Sequence, residues 1–201
     1  MKRVFIAGLA LAAVAAGQDV TTAEREKAQR YLVETRKGVE DAVRGLTEAQ
    51  MRFKAGPDRW SVAEVLEHIT VTEQMVQGIL GQMAQAPAPE AGFDAKKVDA
   101  AVLKQTPDRS TKFQAPEVLR PTARWSPQEA LEQFLTARAQ TVAKLQSMSG
   151  LRAHVIPHPV FGPLDGYEWV LLVAAHSARH TQQMLEVKAD RNFPAATAGV
   201  H

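Results

Sequence analysis

The sequence predicts an all-α protein, a four-helix bundle, and three observations carry that prediction. Four stretches repeat apolar residues at helical spacing, and each opens on a capping residue with a glutamate three positions later. No stretch keeps up the apolar–polar alternation of a half-buried strand. Every proline except Pro127 falls between these stretches or after the last, and Pro127 suits the first position of a helix.

Residues 1–17, MKRVFIAGLALAAVAAG, read as a signal peptide. Lys2 and Arg3 make a basic start, Val4 to Val14 form an apolar run, and Ala13-Val14-Ala15 or Ala15-Ala16-Gly17 offers a small-residue cleavage site. The run falls short of the ~20 residues of a membrane span, and no cysteine follows to take a lipid anchor. The expectation is an exported protein, periplasmic or secreted, with no membrane attachment after cleavage and one bundle domain in residues 18–201. The chain has 24 Lys and Arg against 22 Asp and Glu, and without Lys2 and Arg3 the two signs balance at 22 each. Interleaved signs such as Glu24-Arg25-Glu26-Lys27 describe a solvated helix face, so no basic patch points to nucleic acid. The absence of cysteine excludes disulfides, thiolate ligands and a cysteine nucleophile.

The first helix opens at Thr21 with Glu24 as its reciprocal partner, buries Leu32, Val39 and Val43, and ends near Gly45. Gly56-Pro57 marks residues 47–60 as a connection that stops any helix. Ser61, paired with Glu64, caps the second helix, which runs to about Gln85 with Val62, Val65, Leu66, Ile69, Val76 and Leu80 on its apolar face. His68 sits at the edge of that face. Residues 86–125 are broken by five prolines and admit one short helix, Asp94 to Lys104. A connection of this length fits a chain that travels back along the bundle so that the third helix runs parallel to the second. Phe113, Val118, Leu119 and Trp125 are apolar enough to pack on the way. Ser126-Pro127-Gln128-Glu129 starts the third helix, which ends near Gly150. Residues 151–164 read as an extended connection, where Pro157 and Pro159 deprive the His154/His158 spacing of any helical meaning. The tail from Asp190 reads as a fraying end.

The fourth helix, from the Asp165/Glu168 box to Lys188, holds the chemistry. Trp169, Leu172, Val173, His176, His180, Gln183, Met184 and Val187 fall on one face at 100° per residue. Two buried imidazoles one turn apart need partners, because an unpaired buried polar group costs about 1–3 kcal/mol. A shared divalent ion would satisfy both, although such a pair by itself also suits ordinary core residues. If the second and fourth helices are antiparallel, His68 comes level with Thr181 and within reach of His176 and His180. Gln183, on the same face, could hold a water or orient a ligand. Glu64 is sufficiently explained as a cap.

Four segments resemble the DinB-like family, in its branch of YfiT-type metal-dependent hydrolases: RWSVAEVLEHI (59–69), FQAPEVLRPTARW (113–125), HPVFGPLDGYEW (158–169) and AAHSARHTQQ (174–183). The resemblance implies an up-down-down-up bundle, a divalent metal (zinc, nickel or iron, with cobalt equally suited to nitrogen ligands) on His68, His176 and His180, and a homodimer. Three neutral imidazoles leave a coordination position open, as in catalytic sites. The function expected is a metal-dependent hydrolase of an unidentified small-molecule substrate. Two alternatives stand beside it: a metal- or ligand-binding bundle without turnover, and a thiol-dependent transferase as in some relatives, which export from the thiol-rich cytoplasm disfavours.

Overall fold

A computed structural model describes residues 19–196, so the signal segment expected in residues 1–17 lies outside the described residues. In chain order the helices are α1 (Thr22–Val43), α2 (Glu48–Arg52), α3 (Val62–Gln82), α4 (Ala95–Gln105), α5 (Pro127–Ser147) and α6 (Gly166–Lys188). The four long ones make the bundle, and each begins at the reciprocal cap that the sequence announces: Thr21/Glu24, Ser61/Glu64, Ser126/Glu129 and Asp165/Glu168. A fifth box, Thr47/Gln50, opens α2 in a stretch expected to hold no helix. Its single turn is complete before Gly56-Pro57 is reached.

Hydrogen bonds between helices fix their directions. Tyr167 donates its hydroxyl to Glu24 O and Lys188 Nζ bonds Ala42 O, so α6 runs parallel to α1. Arg25 reaches Leu145 O while Arg138 reaches Leu32 O, so α5 is antiparallel to α1. Thr70 donates to Ala130 O and Gln77 to Ala137 O, which makes α3 and α5 parallel. The topology is up-down-down-up. Because α3 is about 31 Å long at 1.5 Å per residue, residues 86–125 must carry the chain back its whole length, and α4 is the short helix on that path.

The connection before α6 departs from expectation. It is a hairpin, β1 (Val155–His158) against β2 (Gly162–Asp165), in register from Val155↔Asp165 to His158↔Gly162. Pro157 faces Pro163 in this ladder, a tolerable pairing where both strands are edges and neither ring occupies a hydrogen-bonded pair. Gly162, at φ 72°, turns the chain. Gly166 then begins α6 pressed against Leu151: a Cβ there would lie 2.9 Å from Leu151 Cδ2, and its N–H bonds Leu151 O.

From Leu164 to Ala175 every residue is buried, so the first half of α6 is covered on all sides rather than on one face. Its WVLLVAA run has no polar side to offer solvent, and α1, α3, α4 and the hairpin surround it. The end of the described chain is also tied down: Phe193 packs edge-on against Phe53, and Gln50 bonds Pro194 O, so residues 190–194 do not fray.

Two apolar clusters fill the bundle, one around Leu32, Leu80, Leu145 and Leu171, the other around Val39, Ile69, Phe134 and Met184. A polar layer separates them. In it Arg138, 1% exposed, makes paired bonds of 2.9 and 2.8 Å to Glu73 and further bonds to Leu32 O, Thr35 Oγ1 and Ser177 Oγ. All five guanidinium hydrogens are used.

Candidate metal centre

The antiparallel crossing of α3 and α6 brings His68, His176 and His180 together. Each offers a nitrogen within 4.8 Å of the others, and no carboxylate joins them among the described residues. Ring centroids lie 4.3–4.9 Å apart, and His68 Nε2 is 3.2 Å from His176 Nε2. A tetrahedral ion with metal–nitrogen bonds of ~2.0–2.1 Å would hold its ligand nitrogens about 3.3–3.4 Å apart. The spacing fits.

Neighbouring oxygens set which nitrogen faces inward. His68 donates Nδ1–H to Leu119 O at 2.7 Å, and His180 donates Nδ1–H to Gln183 Oε1 at 2.8 Å. Both rings therefore turn a bare Nε2 toward the common centre, the orientation that metal-binding histidines take from such partners. Gln183, expected to hold a water or orient a ligand, is the hydrogen-bond partner of His180. His176 has no such partner, and its Nδ1 is buried without a hydrogen bond. Burial lowers the pKa of all three; for His176 the neighbouring His180 and His68 add to it, and for His180 the nearby His68. The triad is neutral at pH 7, the state that binds a cation.

Leu119 belongs to the long crossover, and its carbonyl reaches the site because that segment is fastened on both sides. Glu67 Oε1 accepts from Thr122 N–H and Arg124 Nε, while the Arg179 guanidinium bonds the carbonyls of Thr106, Asp108 and Thr111. Leu119 is buried and Trp125 half-buried, but Phe113 and Val118 face solvent, contrary to their expected packing. Glu64 serves its cap and Lys54, with no part in the triad.

The triad divides a cleft of about 1490 Å³. Toward the start of α3 and the end of α6 its walls carry charge, with Lys54, Arg59, Arg109 and Glu186 beside Trp60; Glu186 is taken up by Arg109 in two bonds. Toward the other end they are apolar, from Met75 and Ile79 on α3 to Leu172 and Val173 on α6. The hairpin closes that end and brings in His158, which sequence reasoning set aside because its spacing to His154 has no helical meaning. His154 bonds Ala86 O away from the site. His158 packs tilted against Phe161 and edge-on against Trp169, and its Nδ1 accepts from Val160 and Phe161 N–H, so Nε2 carries the hydrogen. No helical spacing marks it, although it opens the family-like segment 158–169; the hairpin register places it.

A sequence model described as the DinB superfamily matches residues 31–184. YuaE of Bacillus subtilis (strain 168) is 28% identical over 149 residues, which cover 73% of this chain and 88% of that protein. Among solved structures, YfiT from Bacillus subtilis, described as a probable metal-dependent hydrolase with an unusual four-helix bundle topology, superposes with a TM-score of 0.58. It is 16% identical, and the match covers 84% of this chain and 88% of that one. TT2238, a four-helix bundle protein, gives a TM-score of 0.53 at 18% identity, covering 81% and 98%.

Proposed function

The chain belongs to the DinB superfamily, and from that premise we propose that His68, His176 and His180 hold a divalent metal ion in a hydrolytic enzyme acting on a small molecule. The observation that carries this reading is the pair of fixed tautomers that leave His68 and His180 with bare Nε2 atoms facing a shared point. An ion held there would supply Lewis acidity and one or more open positions facing the cleft. Nitrogen ligands suit zinc, nickel, iron(II) or cobalt. The chain's own contribution is positional. Leu119 O and Gln183 Oε1 keep the imidazoles aimed, and the crossover pinned by Glu67 and Arg179 walls the site from bulk water.

One observation favours a binding protein without turnover: among the described residues no carboxylate stands beside the triad to move a proton, since Glu64 and Glu186 are both engaged elsewhere. Metal analysis of the purified protein comes first, with one equivalent expected in the parent and none in His176→Ala. Hydrolysis of esters, amides or lactones that stops with chelator and returns with metal establishes the enzyme. A metal-loaded protein inert to all three classes would leave the binder. Absence of bound metal in both proteins, even after incubation with zinc, would remove both readings. Export and homodimer formation complete the proposal; the mature N-terminus by mass spectrometry and the solution mass by light scattering test them.

A further inference from the structure

Resting on that reading of the histidines, we propose that the substrate is an acyl compound whose carbonyl sits at the triad and whose apolar chain, about eight carbons long, runs toward the hairpin. The asymmetry of the cleft points to it. On the hairpin side the wall is formed by Met75, Ile79, Leu172 and Val173, with no charged side chain among them. A surface of that kind left to water is costly, at roughly 25 cal/mol per Å². Three of the large apolar side chains exposed on this protein, Phe113, Val118 and Val160, belong to the two segments that border the cleft, the crossover and the hairpin turn.

The far end of the compartment is closed by Trp169 and the hairpin. Trp169 is 3% exposed, lines the cleft and buries its indole N–H without a protein partner, although buried indoles usually find one. His158, edge-on to that indole, carries its hydrogen on Nε2. Trp169 lies two helical turns before His176, about 10 Å along the axis of α6. At ~1.2 Å per bond of extended chain, about eight carbons cover that distance. Opposite, Trp60 stands beside His68, but beyond it Lys54, Arg59 and Arg109 put charge across the path of an alkyl chain. The chain therefore has one direction to take.

Straight-chain hydroxamates from acetohydroxamate to decanohydroxamate, titrated calorimetrically into zinc-loaded protein, test this without requiring turnover. Each added methylene is expected to tighten binding about fourfold, the equivalent of ~0.8 kcal/mol, with the gain ending near eight carbons. Met75→Trp, which fills the compartment, is expected to abolish the dependence on length while acetohydroxamate binds as in the parent. Ile79→Phe gives the same reading from the same wall if Met75→Trp does not fold. Chelator-sensitive binding of acetohydroxamate with no gain on lengthening overturns the acyl-chain proposal and leaves the metal reading standing. A length dependence that survives both substitutions also overturns it, because the apolar contact then lies elsewhere. Failure of every hydroxamate to bind in a chelator-sensitive way removes the metal reading and this proposal with it.

Discussion

Ser177 and His176 are adjacent on α6 and leave it about 100° apart, one into the bundle and one into the cleft, and the two polar clusters they join differ in kind. On the Ser177 side, Arg138 and Glu73 form a closed system. Every guanidinium hydrogen has an acceptor, and Ser177 and Thr35 each pass a further bond to a backbone carbonyl. On the His176 side, the His68 and His176 Nε2 atoms face one another at 3.2 Å and the buried His176 Nδ1 has no partner among the described residues. Both groups are buried, and both break up an apolar core. A closed network needs nothing from outside, whereas the three histidines form the cluster at which the proposed metal ion would bind. That contrast, more than burial or charge, separates a structural polar layer from a site.

The sharpest way to break the comparison is to open the closed cluster. Glu73→Ala leaves Arg138 buried and unpaired, a change that costs about 3–5 kcal/mol where one partner of a buried pair is removed. Urea denaturation should show that loss, and the fraction that remains folded should still bind metal. Removing both charges together, as Glu73→Leu with Arg138→Met, should recover most of the stability, since well-packed apolar replacements of buried pairs are often neutral. If Glu73→Ala costs less than about 1 kcal/mol, on the scale of an exposed pair, the network is not the closed unit described.

A smaller effect is expected on the open side. Gln183→Leu frees the His180 ring to rotate without touching a ligand atom. Loss of such a supporting partner typically weakens metal affinity 10–100-fold. Competition against a chelator of known affinity measures it, while the urea midpoint of the metal-free protein should barely move because Gln183 is only half-buried. Unchanged affinity would mean that His180 is oriented by packing alone.

The open cluster was legible in the sequence and the closed one was not, for reasons that lie in the chain. His176 and His180 stand one turn apart on a helix with clear caps, and His68 comes to them through antiparallel register, so periodicity and topology suffice. Arg138 and Glu73 come from different helices and carry no spacing signal; an arginine inside α5 reads as part of a solvated face until the bundle buries it. Leu119 O was equally invisible, because a backbone carbonyl in a proline-rich crossover has no residue-type signature. The hairpin was missed because Pro157 and Pro163 argue against strands, and only their mutual pairing on a two-stranded edge makes them harmless. Burial of α6 on all sides was hidden for a different reason. A continuous apolar run has no period, and the neighbours covering its other faces come from remote segments.

The gentlest handle on the comparison is pH. In the metal-free protein, burial, with mutual repulsion added for His176 and His180, holds the triad's pKa values below 6.5. The same histidines in the unfolded chain take up protons around pH 6.5. As pH falls below that value the unfolded state binds more protons than the folded one, so stability must fall with it. Glu168 works in the opposite direction: burial, with Asp165 beside it, pushes its carboxyl up to about 8, so its contribution is lost as pH rises from about 4.5 through 8. Comparing the metal-free parent with His176→Phe separates the two. The variant should lose less stability than the parent between pH 7 and pH 5.5, because one imidazole fewer is forced to stay neutral. Glu168→Gln should remove the decline toward pH 8 and steepen the acid loss below pH 7, because the contribution it deletes grows as pH falls toward 4.5. Equal acid slopes for parent and His176→Phe would show that this imidazole is already free to charge when folded. The cluster would then be open to water as well as to metal.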